Sequence, residues 1–342
     1  MDDAAYFKSD TWLVKNLGEI HSIPNRKICF IIGAGASVTS GISAGYKLVE
    51  KWLNRLREFD DNPGFNELEL KDWATEENLG IKGFSYDKAA EFYPQIFEKC
   101  FAHDADQGYH DLEEEMRVKE PHIGYILLAR IMEKTRHRIV VTTNFDNLVS
   151  DAISIYTGSH YLICGHESLT GFVRPSIRRP LIAKIHRDLL MNPINDPEGT
   201  DVLPNEWKDA LRRVLSDYTP VVLGYGGNDG SLMGFLSSLK PSEVNGGIYW
   251  CYMKDTKPGE HIVELVKNMN GRLIAINGFD EFMISFAERL FGEQVLPEFH
   301  KQLQEKSDSR IEQFRKVAEE GTDSFVKKVE KDVSLSNEVA DK

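Results

Sequence analysis

Two short segments combine side chains that suit proton transfer and the binding of a sugar. TTNFD (142–146) places the carboxamide of Asn144 two residues before the carboxylate of Asp146. KIHRD (184–188) contains His186, and a histidine with its usual pKa of ~6.5 can act as a general base near neutral pH. Structural roles remain an alternative for each residue taken alone, because Asn and Asp often cap helices and a single histidine is more often structural.

Two glycine-rich segments indicate that phosphate is bound by the backbone. GAGAS (33–37) follows the apolar run KICFII, so its glycines would let the chain turn tightly and approach a pyrophosphate at a helix N-terminus. GYGGNDG (224–230) has four glycines in seven positions, which suggests an amide-lined concavity. A glycine turn without a ligand remains an alternative for both. The fingerprint G-x-G-x-x-G would need glycine at Val38, and its absence argues against a hydride-transferring dehydrogenase.

Each of these four segments follows an apolar run that is typical of a buried strand. Strands alternating with helices of about ten residues predict an α/β fold built on a doubly wound parallel sheet. The carboxyl ends of its strands meet at one crevice, so we expect the four segments to share a site. The predicted strands are Lys27–Ile32, Arg138–Thr142, Leu181–Ile185, Pro220–Leu223, Ile248–Met253 and Arg272–Ile276. The predicted helices follow the first strand up to about Leu56 and then cover Asn147–Ile155, Asn205–Leu215, Ser231–Leu239, His261–Met269 and Glu281–Leu290.

Two regions depart from this alternation. Residues 60–134 lack clear strands, which predicts a helical insertion within a domain that spans residues 1–296. Residues 297–342 form a charged helical tail whose apolar stripe needs a surface to cover, either in its own domain or on another chain. The insertion and the tail are the expected restraining or assembly surfaces. The stripe consists of Ile311, Phe314, Val317, Phe325 and Val329.

The composition excludes several classes of protein. A formal charge of −13, most of it between Glu50 and Glu120, argues against sequence-blind binding to nucleic acid. The four cysteines lie far apart without any C-x-x-C, which excludes a paired-cysteine zinc ribbon and gives no sign of a disulfide framework. No apolar stretch is long enough to cross a bilayer, and the N-terminal residues lack a signal-peptide pattern. We therefore expect a cytoplasmic protein without membrane contact.

Taken in order, the four segments resemble the sirtuin fold. GAGASVTSGIS (33–43) is similar to the family's G-A-G-x-S…S-G-I opening, and TTNFD to its T-Q-N-x-D element. His186 resembles the histidine of the family's H-G pair, and GYGGNDGSL (224–232) stands where its third nucleotide loop belongs. The order and rough spacing match over about residues 27–290. The resemblance implies a Rossmann-like sheet of sirtuin type that binds NAD+.

The sequence also departs from the sirtuin deacylases. Their four-cysteine zinc module is missing, Thr143 replaces Gln, Arg187 replaces Gly, and Ser43 replaces Pro. These departures resemble the prokaryotic sirtuin-like branch found in antiphage defence proteins. That resemblance implies an NAD+ glycohydrolase without a metal, which yields nicotinamide and ADP-ribose or a cyclised form. It further implies a triggered NAD+-depleting effector that acts as a homo-oligomer or with a partner defence protein.

The resemblance also assigns roles to individual residues. Asn144 would position water or the nicotinamide-side ribose, Asp146 would hold the carboxamide, and His186 would accept a proton from a ribose hydroxyl or from the water. The pyrophosphate is assigned to Gly33, Ala34, Gly35 and Ser37, the adenosine half to Gly224, Gly226 and Asn228, and a further cofactor contact to Thr142.

Two other functions remain open. An NAD-dependent protein deacylase or ADP-ribosyltransferase would turn over little NAD+ until an acceptor is added, and the missing cysteines count against it. A non-catalytic module that senses NAD+ or ADP-ribose would bind its ligand without turnover and regulate a partner.

Overall fold

A single sheet of eight parallel strands, flanked by helices, confirms the predicted α/β fold. The computed structural model describes residues 5–60, 64, 67–191, 193–195, 197–319 and 331. The strands are β1 (Phe7–Ser9), β2 (Lys27–Ile32), β3 (Ile139–Thr142), β4 (Leu162–Cys164), β5 (Leu181–Lys184), β6 (Tyr218–Leu223), β7 (Tyr249–Met253) and β8 (Arg272–Ile276). Their order across the sheet is β1-β8-β7-β6-β2-β3-β5-β4. The edge strands β1 and β4 were not predicted, because three residues are too few to show a pattern.

The helices include short ones that the sequence pattern did not resolve. Residues 86–100, within the predicted insertion, form a 3₁₀ helix, Tyr86–Phe92, followed by a separate α-helix. No helix in the described part of the chain is both long and apolar enough to span a membrane. The α-helices are α1 (Asp10–Ser22), α2 (Gly45–Glu58), α3 (Leu70–Trp73), α4 (Glu76–Leu79), α5 (Tyr93–Cys100), α6 (Ala105–Met116), α7 (Ile123–Lys134), α8 (Leu148–Ala152), α9 (Pro197–Asp201), α10 (Asn205–Leu215), α11 (Gly230–Ser238), α12 (Glu260–Asn268), α13 (Phe279–Phe291) and α14 (Val295–Glu319).

The strand order changes direction at the centre of the sheet, although all strands remain parallel. Strand β2 pairs with β3 on one side and with β6 on the other, so Ile32 lies opposite both Thr142 and Leu223. On the far side of β3, Lys184 lies opposite Thr142. The loops that follow these four strands therefore leave the sheet side by side, at the point where α/β sheets bind their ligands.

A second hydrophobic core lies outside the sheet. Helix α2 and the helices up to α6 pack around Trp52, whose ring lies 5.0 to 5.9 Å from the rings of Tyr93, Phe97 and Phe101. Helix α7 lies elsewhere, since the ring of Tyr125 packs 4.9 Å from that of Phe279 in α13. The region predicted as one insertion thus contributes a helical subdomain, which also includes α2, and one helix that packs beside α8 and α13.

The chain divides into two compact units, Met1–Leu290 and Phe291–Lys342. Within the second unit, α14 is a helix of 25 residues. Phe325 and Val329 of the predicted apolar stripe lie outside the described residues.

Candidate active site

The carboxyl ends of β2, β3, β5 and β6 open into a cleft of about 430 Å³. Loops that follow these strands form one wall, and the helical subdomain forms the other. The first wall consists of Ala34, Gly35, Thr143, Asn144, Phe145, Asp146, His186, Gly224, Tyr225, Gly226, Asn228 and Asp229. The second consists of Gly45, Tyr46, Leu48, Ala90, Tyr93, Pro94, Leu112, Glu115 and Met116. Ile42, Ser43 and Ala44, just before α2, complete the lining together with Asn195 and Thr200.

The two glycine-rich loops are packed directly against each other. The amide of Gly33 donates to the carbonyl of Leu223 at 3.0 Å, and that of Gly35 donates to the carbonyl of Gly224 at 2.8 Å. A Cβ atom on Gly224 would lie 2.2 Å from the amide nitrogen of Ala36. Loop-on-loop packing therefore requires these glycines, independently of any ligand. These hydrogen bonds also use the amides of Gly33 and Gly35, which were predicted to bind a pyrophosphate.

Asp146 is the centre of a buried hydrogen-bond network. Its Oδ2 accepts from Ser37 Oγ at 2.7 Å and from Asn144 Nδ2 at 3.0 Å. Ser37 Oγ also accepts from Asn144 Nδ2 at 3.1 Å and lies 2.8 Å from the hydroxyl of Tyr125. Because the one Ser37 hydrogen goes to Asp146, the Tyr125 hydroxyl must donate to Ser37. Burial raises the pKa of Asp146, and its hydrogen bonds and the charge of Lys184 oppose the rise.

Lys184 joins the loops after β3 and β5. Its side chain is 2% exposed, and Nζ donates to the carbonyl of Phe145 at 2.9 Å, to Asn147 Oδ1 at 2.7 Å and to Asp188 Oδ2 at 2.8 Å. These three bonds use all the hydrogens of the ammonium group. Lys184 thus fixes the backbone beside Asp146, a role that its position in KIHRD did not reveal.

His186 belongs to a second network on the same wall. Its Nε2 lies 2.7 Å from Ser231 Oγ and 4.0 Å from Asp229 Oδ1. Asp229 accepts in turn from Ser231 at 2.8 Å and from the Tyr225 hydroxyl at 2.5 Å. Burial lowers the pKa of His186 below its usual range, and the charge of Asp229 opposes this shift. The histidine is therefore neutral at pH 7 and able to accept a proton.

The structure brings most of the predicted site residues together. Three of them lie outside the lining of the cleft and support it. Gly33 contacts the loop after β6, Ser37 is fully buried beside Asp146, and Thr142 Oγ1 accepts from the amide of Asn144 at 3.0 Å. The predicted residues that line the cleft are Ala34, Gly35, Asn144, Asp146, His186, Gly224, Gly226 and Asn228.

The charges on the cleft walls are of one sign. The acidic residues Glu115, Asp146 and Asp229 line the cleft, and the lining residues that the structure describes include no Lys or Arg. Nor does any group of three or more His, Cys, Asp or Glu side chains among the described residues have a metal-binding arrangement. The cleft therefore favours positive charge on a bound molecule.

Arg187, the residue after His186, has a left-handed backbone conformation. Its φ is +66°, a left-handed conformation that costs a residue with a side chain about 1 kcal/mol. The guanidinium forms two hydrogen bonds to Glu167, at 2.9 and 2.5 Å.

Comparing two substitutions at Arg187 isolates the backbone strain. Both Arg187→Gly and Arg187→Ala remove the ion pair, but only glycine relieves the positive φ. We expect Arg187→Gly to be more stable than Arg187→Ala by about 1 kcal/mol in urea unfolding. Equal stabilities, or a more stable alanine variant, would contradict this explanation.

Comparison of the chain with protein-family models and with curated proteins returned no match.

Proposed function

We propose that the cleft binds NAD+ and hydrolyses the bond between nicotinamide and ribose. The observation that carries the proposal is the convergence of four motif segments on one cleft: the loops after β2, β3, β5 and β6. The cleft volume of about 430 Å³ lies within the range of small-molecule sites. It is an acidic cleft whose lining includes the exposed residues Ala34, Gly35 and Gly226.

The charge of the cleft suits the reaction. Nicotinamide leaves NAD+ as a neutral base, so positive charge moves from the ring onto the ribose in an oxocarbenium-like transition state. Fixed carboxylates beside that ribose stabilise the developing charge. The pyrophosphate must then be bound by backbone amides and neutral groups, in keeping with the absence of Lys and Arg among the described lining residues.

The hydrogen bonds suggest a role for each polar group. Asn144 donates both Nδ2 hydrogens, to Ser37 and Asp146, which leaves Oδ1 to hold a water molecule or a ribose hydroxyl. The C1′–N1 bond breaks with its electron pair passing to nicotinamide, and the water oxygen bonds to C1′. The water proton passes to His186, which is neutral at pH 7. Asp146, on the same wall, would contact the carboxamide.

Nicotinamide release from NAD+ tests the proposal directly. We expect Asn144→Ala and His186→Ala each to lower the rate at least about 100-fold, since each removes a group that positions or deprotonates the water. Chromatography of the products quantifies nicotinamide and distinguishes linear from cyclised ADP-ribose. Asn268→Ala and His103→Ala, at exposed positions outside the cleft, are the matched controls and should match the parent rate.

Calorimetry with NAD+ separates the remaining functions. Saturable binding without release, even with an acceptor peptide present, would favour the sensing module. Release that requires the acceptor would favour a deacylase or transferase. If the protein neither binds NAD+ nor releases nicotinamide from it, the proposal is overturned.

The wider role is proposed on the motif resemblance. A hydrolase of this kind would act as an NAD+-depleting effector in antiphage defence, restrained by its own assembly or by a partner chain. Cells that express the parent chain with its trigger should lose NAD+, and cells that express Asn144→Ala should keep it.

A further inference from the structure

We propose that Ser231 and Asp229 form a relay that holds His186 in the tautomer protonated at Nε2. The opposite ring nitrogen, Nδ1, is then the atom that accepts a proton in the cleft. The tautomer is inferred from this structure alone, and only its catalytic consequence rests on the proposed function.

The relay is built from buried groups. Ser231 is 1% exposed, lies outside the lining of the cleft and approaches Nε2 of His186 at 2.7 Å. The ring edge that carries Nε2 therefore faces the protein interior. His186 itself lines the cleft, and with Nε2 bonded to Ser231 we infer that Nδ1 is the ring nitrogen available to a molecule bound there.

Counting the hydrogens fixes the direction of each bond. The carboxylate of Asp229 has no hydrogen to give, so the single hydroxyl hydrogen of Ser231 goes to its Oδ1 at 2.8 Å. Ser231 can then only accept from His186, which requires a hydrogen on Nε2. A neutral imidazole has one N–H, so Nδ1 keeps its lone pair.

Asp229 is held rigidly, so the relay is preorganised. It caps α11 by accepting from the amide of Leu232 at 2.7 Å, and the Tyr225 hydroxyl donates to its other oxygen at 2.5 Å. When His186 gains a proton, the imidazolium keeps its bond to Ser231 and lies 4.0 Å from the carboxylate. Ser231 and Asp229 are thus positioning residues for the proposed base.

Nitrogen NMR of the full chain with ¹⁵N-labelled histidine reads the tautomer without any substitution. The ring pattern of His186, assigned by its loss in His186→Gln, should show a hydrogen on Nε2 and none on Nδ1 at pH 7. The opposite tautomer, or rapid exchange between the two, would overturn the proposal. This result does not depend on whether NAD+ is hydrolysed.

Two substitutions test separately what sets the tautomer of His186 and what the negative charge of Asp229 contributes to its pKa. Ser231→Ala removes the acceptor of Nε2, and we expect the tautomer preference to be lost and kcat to fall about 10- to 100-fold with little change in KM. Asp229→Asn keeps an oxygen for Ser231 and for the helix cap, so the tautomer should persist while the measured pKa of His186 falls, because the negative charge is gone.

A matched serine provides the control. Ser238→Ala lies in the same helix, at an exposed residue whose hydroxyl donates to the carbonyl of Phe235. It should change neither the tautomer nor the rate, and Ser231→Thr, which restores a hydroxyl, should recover most of both. An unchanged tautomer in Ser231→Ala would contradict the relay. If neither the parent nor any variant hydrolyses NAD+ but the tautomer shifts as expected, the relay is supported and the proposed function is contradicted.

Discussion

Gly224→Ala is expected to destabilise the protein by about 2–5 kcal/mol and to abolish ligand binding in the cleft. The new Cβ would lie 2.2 Å from the amide nitrogen of Ala36 and 2.8 Å from the carbonyl carbon of Gly35. Both neighbours are backbone atoms, which cannot rotate away as a side chain can. Gly224 also has a φ of +66°, which alanine adopts only with strain. Relief therefore requires the loops after β2 and β6 to separate, and this opens the floor of the cleft.

Urea unfolding and NAD+ calorimetry measure the two parts of this expectation. Gly234→Ala is the matched control, because this glycine is exposed in α11 and a Cβ there meets no atom within 4 Å. We expect that control to be as stable as the parent or up to about 1 kcal/mol more stable, since alanine favours helix. The loop-packing explanation fails if the two alanine variants unfold at the same urea concentration.

Acid is expected to destabilise the fold through His137, which lies fully buried just before β3. Its Nδ1 accepts from the amide of Ile28 at 3.0 Å, so the hydrogen is on Nε2, 3.0 Å from Nδ1 of His21. Burial lowers the pKa of His137 to about 3, with smaller contributions from His21 and Arg136. A second proton on His137 would go to Nδ1, where its N–H would face the N–H of the Ile28 amide.

The pH window follows from the two pKa values. An unfolded chain binds a proton at this histidine near pH 6.5, whereas the folded chain does so only near pH 3. Between those values the unfolded state holds more protons, so stability falls as the pH falls. From pH 7 to pH 4 the loss from His137 alone should be about 3 kcal/mol.

A non-titrating variant isolates this contribution from that of the carboxylates. His137→Gln keeps an acceptor for the Ile28 amide but cannot be protonated, so its unfolding free energy should fall less steeply between pH 7 and pH 4. His103→Gln, at an exposed position, should follow the parent curve. Parallel curves for the parent and His137→Gln would show that His137 is not the acid-sensitive group.

The sequence was sufficient to predict six of the eight strands, all except β1 and β4, and the edge of the sheet at which the cleft lies. Buried parallel strands are continuous apolar runs, and polar or glycine-rich segments follow four of them, so convergence at the carboxyl ends could be predicted. The hydrogen-bond partners of the polar side chains in the cleft could not be predicted. Ser231 lies at the start of a helix 45 residues after His186, and Lys184 bonds to Phe145 and Asn147 in the loop after β3. Such contacts depend on the order of strands in the sheet, which a hydrophobic pattern does not contain.

The glycines show a different limit of sequence reasoning. Their number in the loops after β2 and β6 was interpreted as space for a ligand, yet Gly33 and Gly224 are required by the contact of one loop with the other. A turn that must approach a phosphate and a turn that must approach another backbone need the same residue. Only the three-dimensional arrangement distinguishes the two causes.

The cleft lies between two hydrophobic cores, that of the sheet and that around Trp52. Regions with separate cores can open locally at different free energies, so the empty protein is expected to lose amide-exchange protection in two steps. A molecule that touches both walls binds only while both cores are folded. At a hundred times its Kd, it adds about 2.7 kcal/mol to their joint stability. Occupancy of the cleft would therefore make the two cores exchange their amide hydrogens as one cooperative unit.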